Sequence, residues 1–193
     1  MRSRELVLDA AERVMAQDGF EAATLARVVE ESGVPMSSVY HYYGSKDRIL
    51  LAVMERGAER FFADLALADR RIGRPVEHLH RVISAAGRNL ERHPNFLRLM
   101  VVFAVQPPRA GDGAVHAVVG RVREMALEQL RVQIGIAFGD DPRSPAADRL
   151  ARFALAAIDG AFVASQTDAG TTLERLLEPL APALVAARRH LIP

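Results

Sequence analysis

The residues best suited to chemistry lie close together, from Ser32 through the turn Gly33, Val34 and Pro35 to Lys46. That stretch has no Asp or Glu, although acids are frequent on both sides of it. It offers instead the hydroxyls of Ser37, Ser38, Tyr40 and Tyr42, the His41 imidazole and a terminal lysine. Such groups donate hydrogen bonds to phosphate oxygens without repelling them, so the chemistry they suit is recognition of a polyanion. A tight turn followed by a helix this short and this rich in hydroxyls reads as the second half of a helix-turn-helix. That reading implies duplex DNA as a partner.

The surrounding pattern supplies helices to hold this segment. Leu6, Val7, Ala10, Ala11, Val14 and Met15 form one apolar stripe, ended by Gly19. Thr24 is placed to cap a short second helix built on Leu25, Val28 and Val29, and Gly33 to stop it. Pro35 suits the first turn of the third helix, and Ser45 the cap of a fourth, with Asp47 near its positive end. The fourth would bury Ile49, Leu50, Val53, Met54, Gly57, Phe61 and Leu65. After the linker Arg70 to Pro75, a fifth helix runs to His93 and Pro94. A sixth, from Phe96 to Val105, is so uniformly apolar that burial on all sides is expected. The Pro/Gly loop from Gln106 to Gly113 leads to a seventh helix reaching Phe138. Ser144 and Pro145 open an eighth, and Leu173 to Val185 forms a ninth that Pro179 and Pro182 should kink or interrupt. No alternating strand pattern appears, so the fold class is all-α with about nine helices.

Whole-chain properties narrow the function classes. At 193 residues and 50% hydrophobic, the chain can bury a real core. The absence of cysteine excludes disulfides, thiolate metal sites and thiol catalysis. No apolar run approaches the roughly 20 residues of a membrane span, and a soluble cytoplasmic protein with no membrane partner is the expectation. Net charge, at +1, gives no support to DNA binding, and residues 1–50 hold six bases against eight acids. Placement matters more than the total, because those acids fall before Ser32 or after Lys46.

Catalytic readings are weak. No Ser, His and acid set has motif support, and no glycine-rich phosphate loop is present. Glu77 and His80 have the Glu-x-x-His spacing of helical di-iron sites, but such a site needs a second copy and further glutamates. His78 and His80 are instead expected on a solvent or pocket-rim face. No metal, cofactor or enzymatic activity is expected.

The elements Gly19-Phe20, Thr24, Gly33-Val34, Ser38-Val39-Tyr40, Tyr42-Tyr43, Ser45-Lys46-Asp47 and Ile49-Leu50, in this order and spacing, resemble the TetR family of bacterial transcriptional repressors. The resemblance covers roughly the first quarter of the chain. It implies a DNA-binding helix-turn-helix domain at 1–46 and a helical effector-binding and dimerisation domain at 47–193, with the fourth helix connecting them. It implies that Thr24 touches a phosphate from the start of the second helix, with Arg27 among the DNA-binding residues. Met36 and Ser37 would face base edges, Ser38, Tyr40 and Tyr42 the backbone, and Lys46 a phosphate. Val39 and Tyr43 would point inward. Many relatives carry a cation where Met36 stands; a methionine can only pack on a thymine methyl, so readout would shift to Ser37, His41 or the arm at Arg2 and Arg4.

The remaining expectations follow from the same likeness. A homodimer would form through Leu150, Phe153, Ala157, Ala161, Leu173, Leu177, Leu180 and Leu184 on helices eight and nine. Phe61, Met100, Phe103, Phe138, Phe153 and Phe162 would line a pocket for an apolar or amphipathic small-molecule effector. The function implied is a repressor released from a palindromic operator by that effector. Two other readings stay open: an effector-independent activator or architectural DNA binder, and a helical-bundle metalloenzyme with an ancillary helix-turn-helix.

Overall fold

Local sequence signals set the first three helices of the computed structural model, which describes residues 2–65, 67, 69–107, 113–168 and 170–191. α1 (Arg2–Asp18) buries Val7, Leu8, Ala10, Ala11, Val14 and Met15, the stripe legible in the sequence. α2 (Leu25–Ser32) starts where the Thr24 hydroxyl accepts the Arg27 N–H. It ends at Gly33, whose φ of 65° is a left-handed conformation that a side chain would disfavour. α3 (Met36–Tyr43) follows after Pro35, which sits at the cap position rather than inside the first turn. Ser45 then accepts the Arg48 N–H at 3.2 Å, opening α4 (Lys46–Asp64).

The later helices are α5 (Pro75–Arg92), α6 (Pro94–Val105), α7 (Gly113–Phe138), α8 (Pro145–Thr167), α9 (Leu173–Leu177) and α10 (Leu180–Leu191). Ser144 caps α8 by accepting the Ala147 N–H, with Pro145 in the first turn. The ninth helix of the sequence reading is two helices, α9 and α10, interrupted at Glu178 and Pro179. Pro182 lies in the first turn of α10, where its missing N–H has no helical partner to lose. No strand occurs among the described residues, and no helix there is long and apolar enough to cross a membrane. Residues 108–112 of the expected Pro/Gly loop lie outside those described.

Packing divides the chain into two units. The first comprises residues up to Phe62 together with His93–Val122. In it α1 packs on α2, α3 and α6. Gly57 of α4 is buried against the Phe96 ring of α6, close enough that any Cβ there would overlap the ring. α6 departs from the expectation of all-round burial: Phe96, Leu99, Met100 and Phe103 are buried, whereas Val105 is 77% exposed. One face of this nearly all-apolar helix is thus exposed, with Val102 39% accessible as well.

The second unit comprises Ala63–Arg92 and the residues from Arg123 onward. There α10 packs on α5 and α8, and α9 packs on the same two helices. His78, expected at a surface, is only 1% exposed. Its Nδ1 accepts the Ile72 N–H at 3.4 Å, so the proton sits on Nε2, which donates to Gln133 Oε1 at 3.1 Å. One imidazole therefore joins the linker, α5 and α7, and the sequence could not distinguish it from its exposed neighbour His80. Burial is the main cause holding its pKa below the ordinary imidazole value, assisted by Arg71 and Arg81, against the opposing hydrogen bond from Gln133.

Two outcomes follow. Replacing Gly57 with Ala should lower unfolding free energy by about 1–3 kcal/mol, the usual cost of overpacking, in urea titration. The His78 imidazole binds its proton less readily folded than unfolded, so stability should be complete above about pH 6.5 and fall as pH drops through that value. Thermal melts from pH 8 to 5 should show that decline, and a His78→Gln variant should show a flatter profile.

Candidate nucleic-acid interface

The turn and α3 form a surface because the helix has only one residue to spare for the core. Val39 is 1% exposed, and Val34 of the turn is buried with it. The Ser32 hydroxyl braces the turn, donating to the Val29 carbonyl at 3.4 Å and accepting the Val34 N–H at 3.2 Å. Held this way, α3 turns Met36, Ser37, Tyr40 and His41 outward, with Met36 36% and Tyr40 53% exposed. The outward face of α3 thus carries no acid, and its exposed side chains are a thioether, two hydroxyls and an imidazole. Ser38 and Tyr42 are half-buried at the edge of this face.

Tyr43 points inward only in part. It is half-buried, and its hydroxyl donates to the Arg4 carbonyl at 3.2 Å. Burial pushes this phenol above its ordinary pKa, so it remains a donor. The Arg4 guanidinium in turn lies 5.2 Å from the centre of the Tyr42 ring. The start of α1 is thereby fixed against the far end of α3.

Two residues of the sequence reading are engaged within the protein. Lys46 Nζ donates to the carbonyls of Phe20 at 2.8 Å, Ala23 at 3.1 Å and Glu21 at 3.2 Å, and stands 4.4 Å from the Phe20 ring centre. An ammonium has three protons, and all three are directed into the α1–α2 turn. Arg27 is exposed but faces Glu30 at 3.4 Å and Asp18 at 3.9 Å. Thr24 is exposed too, its hydroxyl occupied as the α2 cap. The sequence missed Arg48, whose Nη1 lies 3.7 Å from where a Cβ on Gly44 would stand. It stands three residues past the Ser45 cap.

The acids of α1 are turned away from this face and neutralised. Arg56, in α4, reaches Asp9 at 2.8 Å and Glu5 and Glu12 at 3.0 Å. Arg60 adds contacts to Glu5 at 3.0 Å and Asp9 at 3.4 Å. A count of charges over residues 1–50 omits these two arginines and so does not show that the acids of α1 are paired.

The residues assigned to a dimer face require correction. Leu150, Leu173, Leu177, Leu180 and Leu184 are all buried within the second unit, as is Ala161, so they cannot meet another chain without unpacking this one. They were the most apolar stripe of their helices, and that stripe serves the chain's own core. Of the set, Phe153 is 47% exposed and Ala157 half-buried. The outward stripe of α8 is Phe153, Ala156, Gly160 and Val163, at three- and four-residue spacing.

The aromatic set divides between the units. Phe61, Met100 and Phe103 are buried in the first, where Phe61 meets Phe96 and His93 and Phe103 meets Phe20 and His116. Phe138 and Phe162 lie in the second, with the Arg188 guanidinium 5.6 Å from the Phe138 ring centre. Exposed Phe153 belongs to the outward stripe of α8. No group of three or more His, Cys, Asp or Glu side chains able to hold a metal occurs among the described residues. Glu77 instead pairs with Arg74 at 2.7 Å.

Known proteins agree with this arrangement. The family profile described as bacterial regulatory proteins, tetR family, matches residues 7–53, spanning α1 to the first turns of α4. The HTH-type transcriptional regulator BetI of Brucella abortus is 26% identical over 163 residues, covering 84% of this chain and 79% of that protein. A TetR-family regulator from Agrobacterium tumefaciens superposes with a TM-score of 0.73 at 17% identity, over 95% of this chain and 96% of the other. The FadR regulator of Bacillus subtilis, solved with stearoyl-CoA, gives a TM-score of 0.71 at 19% identity, over 95% and 98% of the two chains. The helix-turn-helix is thus one that the tetR-family profile matches across residues 7–53, and the chain shares its fold with TetR-family transcriptional regulators.

Proposed function

We propose that the protein is a homodimeric repressor that leaves a palindromic operator when a small molecule binds. The observation that carries the DNA half of this reading is the outward, acid-free face of α3, with Met36, Ser37, Tyr40 and His41 exposed together. Met36 and Ser37, at the start of α3, read bases. Ser38, Tyr40 and Tyr42 hold the phosphate backbone, and Thr24 and Arg27 approach it from the start of α2. On this reading residues 1–46 are the part that meets DNA, and the rest serves dimerisation and sensing.

Two-fold symmetry is supported by weakness of the single head. A lone α3 with few free cations holds DNA poorly, whereas two heads about 34 Å apart reach successive major-groove turns on one face. The outward stripe of α8 suits the pairing: Ala156 and Gly160 permit close approach, and Phe153 and Val163 supply apolar area at either end. The effector is proposed to be apolar or amphipathic, a class to which the stearoyl-CoA of the like-folded B. subtilis protein belongs. Moving the population from mostly bound to mostly released needs a differential affinity of about 10⁴, roughly 5.5 kcal/mol.

The decisive experiment uses fluorescence anisotropy with duplex DNA taken from beside the protein's own coding region and a shuffled duplex of equal length. Met36→Ala with Ser37→Ala should weaken binding to the first about tenfold or more, the worth of lost base contacts, and leave the second nearly unchanged. Equal weakening on both would remove Met36 and Ser37 from the base-reading role. Phe153→Glu with Val163→Glu should give a folded monomer by light scattering at micromolar concentration, with helical circular dichroism retained because both side chains are exposed. A persistent dimer would place the interface elsewhere.

A further inference from the structure

A groove of about 480 Å³ lies in the second unit between α5 and α9, within the size range of small-molecule sites. Its floor is apolar: Ile83 and Gly87 of α5 and Leu177 of α9 are all buried. The glycine sets the approach of the two helices, because a Cβ there would stand 3.2 Å from Leu177 Cδ1. The rim, by contrast, is charged and carries both signs. Arg88 and Glu91 stand on α5, and Arg175 on α9 with Glu178 closing that helix; all four are exposed. Glu174 adds a third carboxylate, and His80 lies on the rim too.

Among the described residues, none of these charged side chains is within ion-pair or hydrogen-bond distance of another side chain. Elsewhere the chain closes such pairs readily. Arginine and glutamate at the same three-residue spacing meet at Arg27–Glu30, 3.4 Å apart, and at Arg74–Glu77, 2.7 Å apart. In the second unit Arg131 gathers Glu124, Glu128 and Asp148, Arg123 takes Asp159, and Arg188 takes Asp140. At the groove two arginine–glutamate doublets, one from each helix, stay open above an apolar floor.

We infer that this groove binds a small zwitterion with a short hydrocarbon body. Arg88 and Arg175 take its carboxylate, Glu91 and Glu178 take its ammonium, and Ile83 and Leu177 receive the methylenes. A ligand of one charge is poorly served: an anion alone would face three carboxylates, and a cation alone two guanidinium groups. Three residues of helix rise about 4.5 Å, so each doublet sets two poles that a chain of a few methylenes can span. A molecule seated there would join α5 to α9, the link between α8 and α10. The site goes beyond the regulator reading and does not rest on DNA binding.

The probes are 6-aminohexanoate, which carries both charges, and hexanoate and hexylamine, which carry one each. In isothermal titration calorimetry with the full chain, 6-aminohexanoate should bind tighter than either single-charge probe by about tenfold or more, the worth of one charge-assisted hydrogen bond. Arg88→Gln with Arg175→Gln should remove that advantage, and so should Glu91→Gln with Glu178→Gln. Arg81→Gln, which deletes an exposed cation of α5 outside the groove, should leave it intact. Every substituted side chain is exposed, so circular dichroism should show each variant folded. Equal affinity for the three probes, no binding of 6-aminohexanoate, or an advantage that survives both double variants would each overturn the site.

Discussion

The ammonium of Lys46 closes the head of this protein on itself. Its three donors meet three carbonyls at 2.8–3.2 Å in the turn between α1 and α2, where no helical N–H is available to those oxygens. Charge-assisted bonds of this kind are worth about 1.5–3 kcal/mol each when intact, before the cost of ordering the lysine. The Phe20 ring, 4.4 Å from the ammonium, adds a cation–π contact and passes the connection on to Phe103 of α6 at 6.0 Å. One side chain at the start of α4 thus fixes where α2 begins, and through the α2–α3 turn where α3 points.

Electrostatic sorting is the second consequence of that arrangement. α1 is acidic, and an acidic helix beside a DNA-reading one would be repulsive. Arg56 and Arg60 remove the problem from the α4 side, with Arg56 largely buried among Glu5, Asp9 and Glu12. These pairs do more than offset charge. A guanidinium shared by three carboxylates locks the rotation of α4 about α1, so the two helices carry the recognition surface as a unit. The near-neutral total charge of the chain is therefore compatible with a surface that is acid-free where it matters.

Much of this was legible because it is local. Thr24, Gly33, Ser45 and Ser144 each act within four residues of their position, and each appears where its chemistry requires. Periodicity identified which side of α1 and α4 is apolar for the same reason. What could not be read was anything that depends on which neighbour covers a face. α6 looked buried all round because its composition is apolar, and only the packing shows that Val105 is exposed. His78 and His80 are indistinguishable in sequence, yet one is enclosed with Gln133 and the other is exposed. Lys46 sits at a position readily matched to a phosphate contact, and nothing in its surroundings announces three carbonyls from residues 20–23.

The same limit applies to the residues expected at a dimer face, most of which the chain buries in its own core. A helix in a bundle that also pairs with a second chain carries two stripes, and hydrophobicity ranks them by size of side chain. The intrachain stripe of α8, with Leu150, Ala154, Ile158 and Phe162, is the larger because it must hold the fold of a single chain together. The outward stripe of Phe153, Ala156, Gly160 and Val163 is thinner, built from small residues with one aromatic. Small residues give up apolar area but let helix backbones approach closely, and dispersion contacts across a close approach then recover part of the loss.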